Sequence, residues 1–393
     1  MKHLKIIMTL VLCACTVVVL AQGNSSNATQ SGTSNEAIVN QTGSTNGSQL
    51  IQVGNYNLST VDQVGSANFS DIQQRAGADN NVIDLDQVGN GNSAWSHQYS
   101  NSYFNYQFTQ QDGNGNFSHI DQAAGEGNVS QVLQIGDNNT NDQADAGDGQ
   151  GNEQFGNGNY MIVTTIGSDN HTASHQNGTG NFATQEQYGN NNSHSLSQTG
   201  AFNYSVQWSQ GDGNSATTSQ SGDENWQLQD QPGNGNMAYS SQNGFQNNST
   251  VLQYGDYNGA NVDQNGNNNI ASSNQLGTYN SANISQNGDQ NQAYNDYFGG
   301  PGQDGEGNSM NQSQVGFGNL AWNNQFGNGN NSYQHQDGVT NLAGVSQIGD
   351  GNWSGMEQYG DNNSAHSWQT GTGHGSNIYQ AGSGNTAVVT QND

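Results

Sequence analysis

Residues 253–286 read QYGDYNGANVDQNGNNNIASSNQLGTYNSANISQ, three passes of one eleven-residue unit. Gln253, Gln264, Gln275 and Gln286 each open a segment Gln-x-Gly-x-x-Asn, with Gly255, Gly266, Gly277 and Gly288 in third place. Asn258, Asn269 and Asn280 close the first three of these segments. Between each Asn and the next Gln, restricted residues fall on alternate positions, as in Asn258, Ala260, Val262 and Gln264. A period of two is that of a β-strand with one constrained face. The Gln-to-Asn segment then reverses the chain, and Gly suits a tight reversal because it accepts positive φ. Each unit is thus one strand and one turn.

The same frame extends along most of the chain. Early copies place Gln at Gln30, Gln41, Gln52, Gln63 and Gln74. From Gln176 to Gln286 the frame holds without slippage through Gln187, Gln198, Gln220, Gln231 and Gln242. It resumes at Gln303 and continues through Gln314, Gln325, Gln336, Gln347, Gln358, Gln369, Gln380 and Gln391. About thirty copies put chance coincidence out of reach. One extra residue is expected near Gly77 and another near Gly125, with a looser frame at 98–111, 134–154 and 291–303. Pro232 falls in a Gln-x-Gly turn and Pro301 in Gly299-Gly300-Pro301-Gly302, both outside the expected strands.

The inner face of such a strand carries Ala or Ser, one variable residue and Gln, with Asn at the corner. Alone it buries almost nothing. Stacked copies bring like amides about 4.8 Å apart, where each donates to the next. The expected fold is all-β: a β-solenoid of stacked strand-turn-strand repeats. Two strands per rung are the natural grouping, and periodicity leaves three open. All six tryptophans, Trp95, Trp208, Trp226, Trp322, Trp353 and Trp368, occupy odd positions after the motif Asn and are expected to face outward. An interior lined by Ala and Ser has no room for indole, and outward rings also suit lateral association or adhesion.

Composition removes several function classes. The chain has 393 residues, 30% hydrophobic, with 55 glycines and a formal net charge of −28. Without the repeat this would read as disorder. Lys2 and Lys5 precede an apolar run from Ile6 to Leu20, which reads as a secretory signal peptide over residues 1–21, cleaved after Ala21. Cys13-Ala14-Cys15 offers a weaker, lipoprotein-like alternative. Residues 22–29 read as a short leader and 30–393 as the repeat domain. Both cysteines lie in the signal, so the mature chain has no disulfide and no Cys nucleophile or ligand. Beyond the signal, Arg75 is the sole Lys or Arg against 31 acidic residues. That excludes nucleic-acid binding by phosphate neutralisation and disfavours anionic membrane surfaces. His171, His175, His194 and His335 show no metal-ligand spacing, and no catalytic, metal or cofactor site is expected.

The motif Gln-x-Gly-x-x-Asn-x-Ala-x-x-x-Gln, intact at Gln253–Gln264, Gln264–Gln275 and Gln275–Gln286, resembles the curlin repeat of bacterial curli subunits. Matches with Ser for Ala occur at Gln41–Gln52 and Gln52–Gln63. The resemblance covers nearly all of the mature chain. It implies a two-strand rung, export through an outer-membrane curli-type apparatus, a nucleator subunit as partner, and assembly into an extracellular amyloid that binds cells into a biofilm. Three features depart from the family: Asn leads nearly every strand, the copies are more numerous than in a curli subunit, and the non-repeat leader that the export machinery reads is reduced to about Gln22–Thr29.

An open solenoid end templates further strands, and no divergent cap is visible in the sequence, so end-to-end homopolymerisation is expected. Asp62, Asp121, Asp230 and Asp263 on the outward face, and Asp137, Asp223, Asp256, Asp289, Asp350 and Asp361 in turns, are expected to slow it by like-charge stacking. Two alternatives are a Ca²⁺-binding β-roll, whose Gly-Gly-x-Gly-x-Asp run is absent, and a monomeric solenoid binding a ligand on a flat face.

Overall fold

The computed structural model describes residues 23–75, 77–142, 152–295 and 303–393. The signal peptide and the Gly299–Gly302 segment with Pro301 lie outside these residues. All regular structure among them is β-strand. The first strand, Ser25–Thr33, begins inside the segment expected to be a leader.

The chain forms two compact units, one of residues up to Gly158 with Thr164–Asp169, the other of Asn159–Val163 and Asn170–Asp393. Both follow one plan. Each strand pairs in parallel not with its neighbour in sequence but with the next strand but one. Thus Glu36–Ser44 pairs with Leu58–Ser66, setting Gln41 beside Gln63, and Gly259–Asn265 pairs with Ser281–Asp289, setting Gln264 beside Gln286. Stacked amides are 22 residues apart. The rung therefore has two strands, one on each of two facing sheets, and the three-strand alternative is set aside.

Side chains alternate as the period requires. In Leu58–Ser66 the residues Ser59, Val61 and Gln63 point inward and are buried. The apolar part of the interior is thin. It consists of short columns such as Leu50, Val61, Ile72, Ile83 and Leu85 in the first unit. Val251, Val262, Ile284 and Met310 form another in the second.

The frame departs from expectation at three stacked turns. Gln63 lies beside Gln87 and Gln74 beside Gln98, each 24 residues on, so the turn after Gln74 carries two extra residues rather than one. The turn after Gln98 is enlarged equally, and the one after Gln122 by one residue. At two further places two segments separated in sequence share one neighbouring strand. Thr140–Asn141 and Asn152–Asn157 both pair with Phe117–Ala123, the second segment taking up the register where the first ends. Gln292–Asn295 and Gln303–Glu306 do the same against Ile270–Thr278. Pro232 is the last residue of the strand Trp226–Pro232 rather than outside it. It still contributes its carbonyl, which accepts from the Gly255 N–H.

The turn glycines have a stricter reason than flexibility. Gly266 has φ +123°, and a methyl built on it would run into the carbonyl oxygen of Gly288 in the next rung; Gly255, Gly277 and Gly288 are placed alike. The residue before the corner Asn is also left-handed, with φ near +57° at Tyr257, Asn268, Tyr279 and Gln290. Gly266→Ala is expected to cost about 2–4 kcal/mol, combining a disfavoured φ with a backbone clash. Gly259→Ala, in open space at ordinary φ, should stay within about 0.5 kcal/mol of wild type. Urea midpoints of the two variants check the contrast.

Candidate functional site

Within each unit the motif glutamines form long stacked runs in the interior, broken in the second where Ser209 takes the place of one. Gln52, Gln63, Gln176, Gln187, Gln198, Gln220, Gln231, Gln242, Gln253, Gln264, Gln275 and Gln286 are buried, as are Gln314, Gln325, Gln336, Gln347 and Gln358. Gln41 is half-buried in the first described rung. Where the stack is unbroken each amide uses both donors. Gln264 Nε2 donates to Gln286 Oε1 at 2.9 Å and to the Asn248 carbonyl across the interior at 2.9 Å, while its Oε1 accepts from Gln242 at 2.9 Å. The bond along the stack follows from the repeat. The bond across it, which ties the two sheets together, was not legible in the sequence. A second amide column runs through Gln185, Gln207 and Gln229, where the variable inward position is itself Gln.

The corner asparagines do different work. Asn258 Oδ1 accepts the backbone N–H of Asn280 at 3.0 Å, and Asn258 Nδ2 donates to the Gly277 carbonyl at 2.9 Å. Asn269 and Asn280 repeat this toward Asn291 with Gly288, and toward Asn308 with Gly305. One side chain thus satisfies two backbone groups that the reversal removes from the strand ladder.

The turn aspartates also have a structural task. Asp256 Oδ1 accepts the Asn234 N–H at 2.8 Å and its Nδ2 at 3.0 Å. Asp289 serves Asn267, Asp350 serves Asn328 and Asp137 serves Asn114 in the same way. In the column Asp212, Asn234, Asp256, acid and amide alternate. These carboxylates are therefore not stacked on one another, which corrects the expectation of turn-to-turn repulsion. On the outer face, repulsion is real: Asp62 sits beside Asp86. Desolvation first, then the charges of Asp84 and Asp62, push the Asp86 carboxyl up.

The outward tryptophans divide. Trp95, Trp353 and Trp368 are exposed, and Trp208 and Trp226 half-buried. Trp322 is 5% exposed, against the expectation. Its pleat position is outward, but its ring lies down over Gly344 of the next rung, where any Cβ would strike it. Tyr160, Phe182, Tyr204 and Trp226 form a column of near-parallel rings with centroids 5.4, 4.8 and 6.4 Å apart.

Two clusters depart from the repeat, and neither was read from the sequence. The first pairs His194 with Ser209. Position 209 falls on the glutamine frame but carries Ser. His194, at a position usually occupied by Ala or Ser, reaches across so that its Nε2 lies 2.7 Å from Ser209 Oγ. His194 is fully enclosed, and burial pushes its pKa down to about 3.

The second lies on the outer face of the first unit. The columns Asp71, Trp95, His119 and Gln73, His97, Asp121 run side by side on strands Phe69–Gln74, Ser93–Tyr99 and Phe117–Ala123. His97 Nδ1 lies 3.0 Å from Asp121 Oδ1, and His119 Nε2 3.4 Å from the same oxygen. Neither approach has the alignment of a hydrogen bond. His97 Nε2 faces Asp71 at 3.8 Å, and His119 Nδ1 faces Asp142 at 3.8 Å. Trp95 closes one side, its ring edge-on to His119 and Phe117. Burial works against the His97 imidazolium, yet Asp121 and Asp71 push its pKa up to about 9. Burial likewise opposes the Asp121 carboxylate, and the two imidazoles hold its pKa down to about 2.

No protein-family model matches this chain, and no curated protein matches it either.

Proposed function

We propose that the chain is the structural subunit of an extracellular, curli-like functional amyloid fibre that grows by end-to-end stacking of subunits and serves biofilm matrix and surface adhesion. In this reading polymerisation is the activity, no residue is catalytic and no cofactor is needed. The partners are further copies of the chain, a nucleator subunit and a curli-type export apparatus. A secretory signal over residues 1–21 would carry the subunit out of the cell, where the fibre would assemble.

The observation that carries the reading is the complementarity of a rung's two faces. Where the ladder is unbroken, each glutamine gives an N–H to the next rung and takes one on its carbonyl from the previous rung. Gln30 and Gln41, in the first described rung, donate to Gln52 and Gln63, leaving their Oε1 atoms on the opposite side. Gln380 and Gln391 in the last described rungs accept from Gln358 and Gln369. Their remaining N–H groups have the polarity that Gln30 and Gln41 accept. The interface between copies would repeat the bonds already made between rungs.

The test is incubation of the purified mature chain, followed by fibre diffraction and dye binding. Cross-β reflections at about 4.8 Å along the fibre are expected. Growth should be faster at pH 4 than at pH 8, since acid discharges the outer-face pairs such as Asp62 with Asp86. A chain that stays monomeric for days at both pH values would favour the monomeric ligand-binding alternative and end this proposal.

A further inference from the structure

We propose that His97, His119 and Asp121 form a binding site for one divalent transition-metal ion of the zinc type on the outer face of the first unit. One ligand atom from each residue lies within 4.8 Å of the other two. A tetrahedral zinc with bonds of about 2.0–2.1 Å requires ligand atoms about 3.3 Å apart. Two of the three edges have that length: His97 Nδ1 to Asp121 Oδ1 at 3.0 Å and His119 Nε2 to Asp121 Oδ1 at 3.4 Å. The side chains of His119 and Asp121 are only 5% and 4% exposed. Their facing atoms, His119 Nε2 and Asp121 Oδ1, have no hydrogen-bond partner. Burying such atoms unsatisfied is costly, and one cation at their meeting point satisfies both together with His97 Nδ1.

The surroundings are those of a metal centre rather than a chance contact. Each imidazole turns its other nitrogen toward a second carboxylate, His97 Nε2 toward Asp71 and His119 Nδ1 toward Asp142. Both approaches are 3.8 Å, ion-pair rather than hydrogen-bond distances, and a carboxylate that closes onto the far nitrogen of a ligating imidazole orients the ring and raises its basicity. Trp95 and Phe117 pack beside the cluster and narrow its access to water. Two imidazoles and one carboxylate select a borderline ion such as Zn²⁺ or Cu²⁺ over Ca²⁺ or Mg²⁺, which prefer all-oxygen sets. The three ligands come from two adjacent strands and leave a fourth position for water. The strands are rigid and paired in register over their whole length, so the site is held by the ladder itself.

Freshly desalted full-length mature chain, still monomeric, would be titrated calorimetrically with Zn²⁺ in the presence of excess Mg²⁺, which occupies scattered carboxylates. One equivalent is expected. His97→Ala or His119→Ala should weaken binding at least 100-fold. Asp71→Asn should weaken it about 10- to 100-fold while keeping one equivalent, as for a residue acting through a ligand. One-equivalent binding that survives the His97→Ala/His119→Ala double variant would overturn the proposal, as would wild-type binding no tighter than that variant's. Should the alanine variants lose their β circular dichroism, electron paramagnetic resonance of Cu²⁺-loaded wild type decides: two coordinated imidazole nitrogens are expected, and one or none refutes the site. The measurement precedes any assembly, so it stands or falls apart from fibre formation.

Discussion

Replacing Gln264 by Leu is expected to destabilise the rungs around it by about 3–5 kcal/mol, although it puts an apolar side chain of similar size into a buried position. Gln264 is bonded to three groups, two of them amide groups of the ladder and the third a carbonyl that also belongs to the strand pairing. Gln242 Nε2 would lose its acceptor, Gln286 Oε1 its donor along the stack, and the Asn248 carbonyl its donor across the interior. Each buried group left unsatisfied costs about 1–3 kcal/mol, partly relieved by relaxation. The added methyl groups recover some of this through burial, about 0.8 kcal/mol per CH₂, but cannot replace three bonds. Asn265→Ser, one residue on and exposed, should change stability by less than about 0.5 kcal/mol. Because rungs interact mainly with their neighbours, the loss should be local. Native-state hydrogen exchange would then show lost protection in strands Met237–Phe245, Gly259–Asn265 and Ser281–Asp289, with distant rungs unchanged. Uniform loss, or none, would contradict the role assigned to the ladder.

Acid is expected to weaken the second unit through His194. Its folded pKa of about 3 lies below the ordinary histidine value near 6.5, so the folded form holds the neutral ring. The unfolded chain binds a proton first as pH falls. The stabilisation is therefore full above pH 6.5 and is lost progressively between 6.5 and 3, at about 1.4 kcal/mol per pH unit. The cause is packing. Ser209 leaves the space an amide would fill, and the His194 ring takes it from the opposite sheet. Ser209→Gln alone should overpack and cost about 1–3 kcal/mol, and His194→Ala alone should open a cavity and cost about 2–4 kcal/mol. Together they should largely cancel, restoring an amide that donates to Gln231, which Ser209 serves now. The double variant should also lose the acid sensitivity between pH 6.5 and 3. Urea denaturation of the four proteins at pH 7.5 and 5 measures both effects. Additive single-variant losses would show that the two residues do not compensate.

Much of the architecture was legible because each motif position answers to one physical demand. Alternation placed Val262 and Gln264 inward, and Gly266 marked a reversal no other residue tolerates. Chemistry between rungs was not legible, because it depends on distance along the stack. His97 and Asp121 are neighbours only because the enlarged turn after Gln98 makes that rung 24 residues long. Neither a local ligand spacing nor a strict eleven-residue frame brings them together. Trp322 was misjudged for a related reason. Its direction was right, but its cover depends on Gly344 in the next rung. Ser209 was the one visible anomaly in the second unit's glutamine frame that could have pointed to its partner.

At two places, between Asn141 and Asn152 and between Asn295 and Gln303, the pairing against one strand is shared by two separate segments of the chain. In each case the two segments settle against the same neighbour in one register, with a single position of that neighbour, His119 or Asn274, left between them. The entropy of closing a longer detour rises only slowly with its length. These two places are therefore natural cloning seams: a foreign peptide or small module could be grafted there and carried at regular intervals by every copy of the scaffold. New surface properties could arise by insertion alone, without renegotiating a single interior contact.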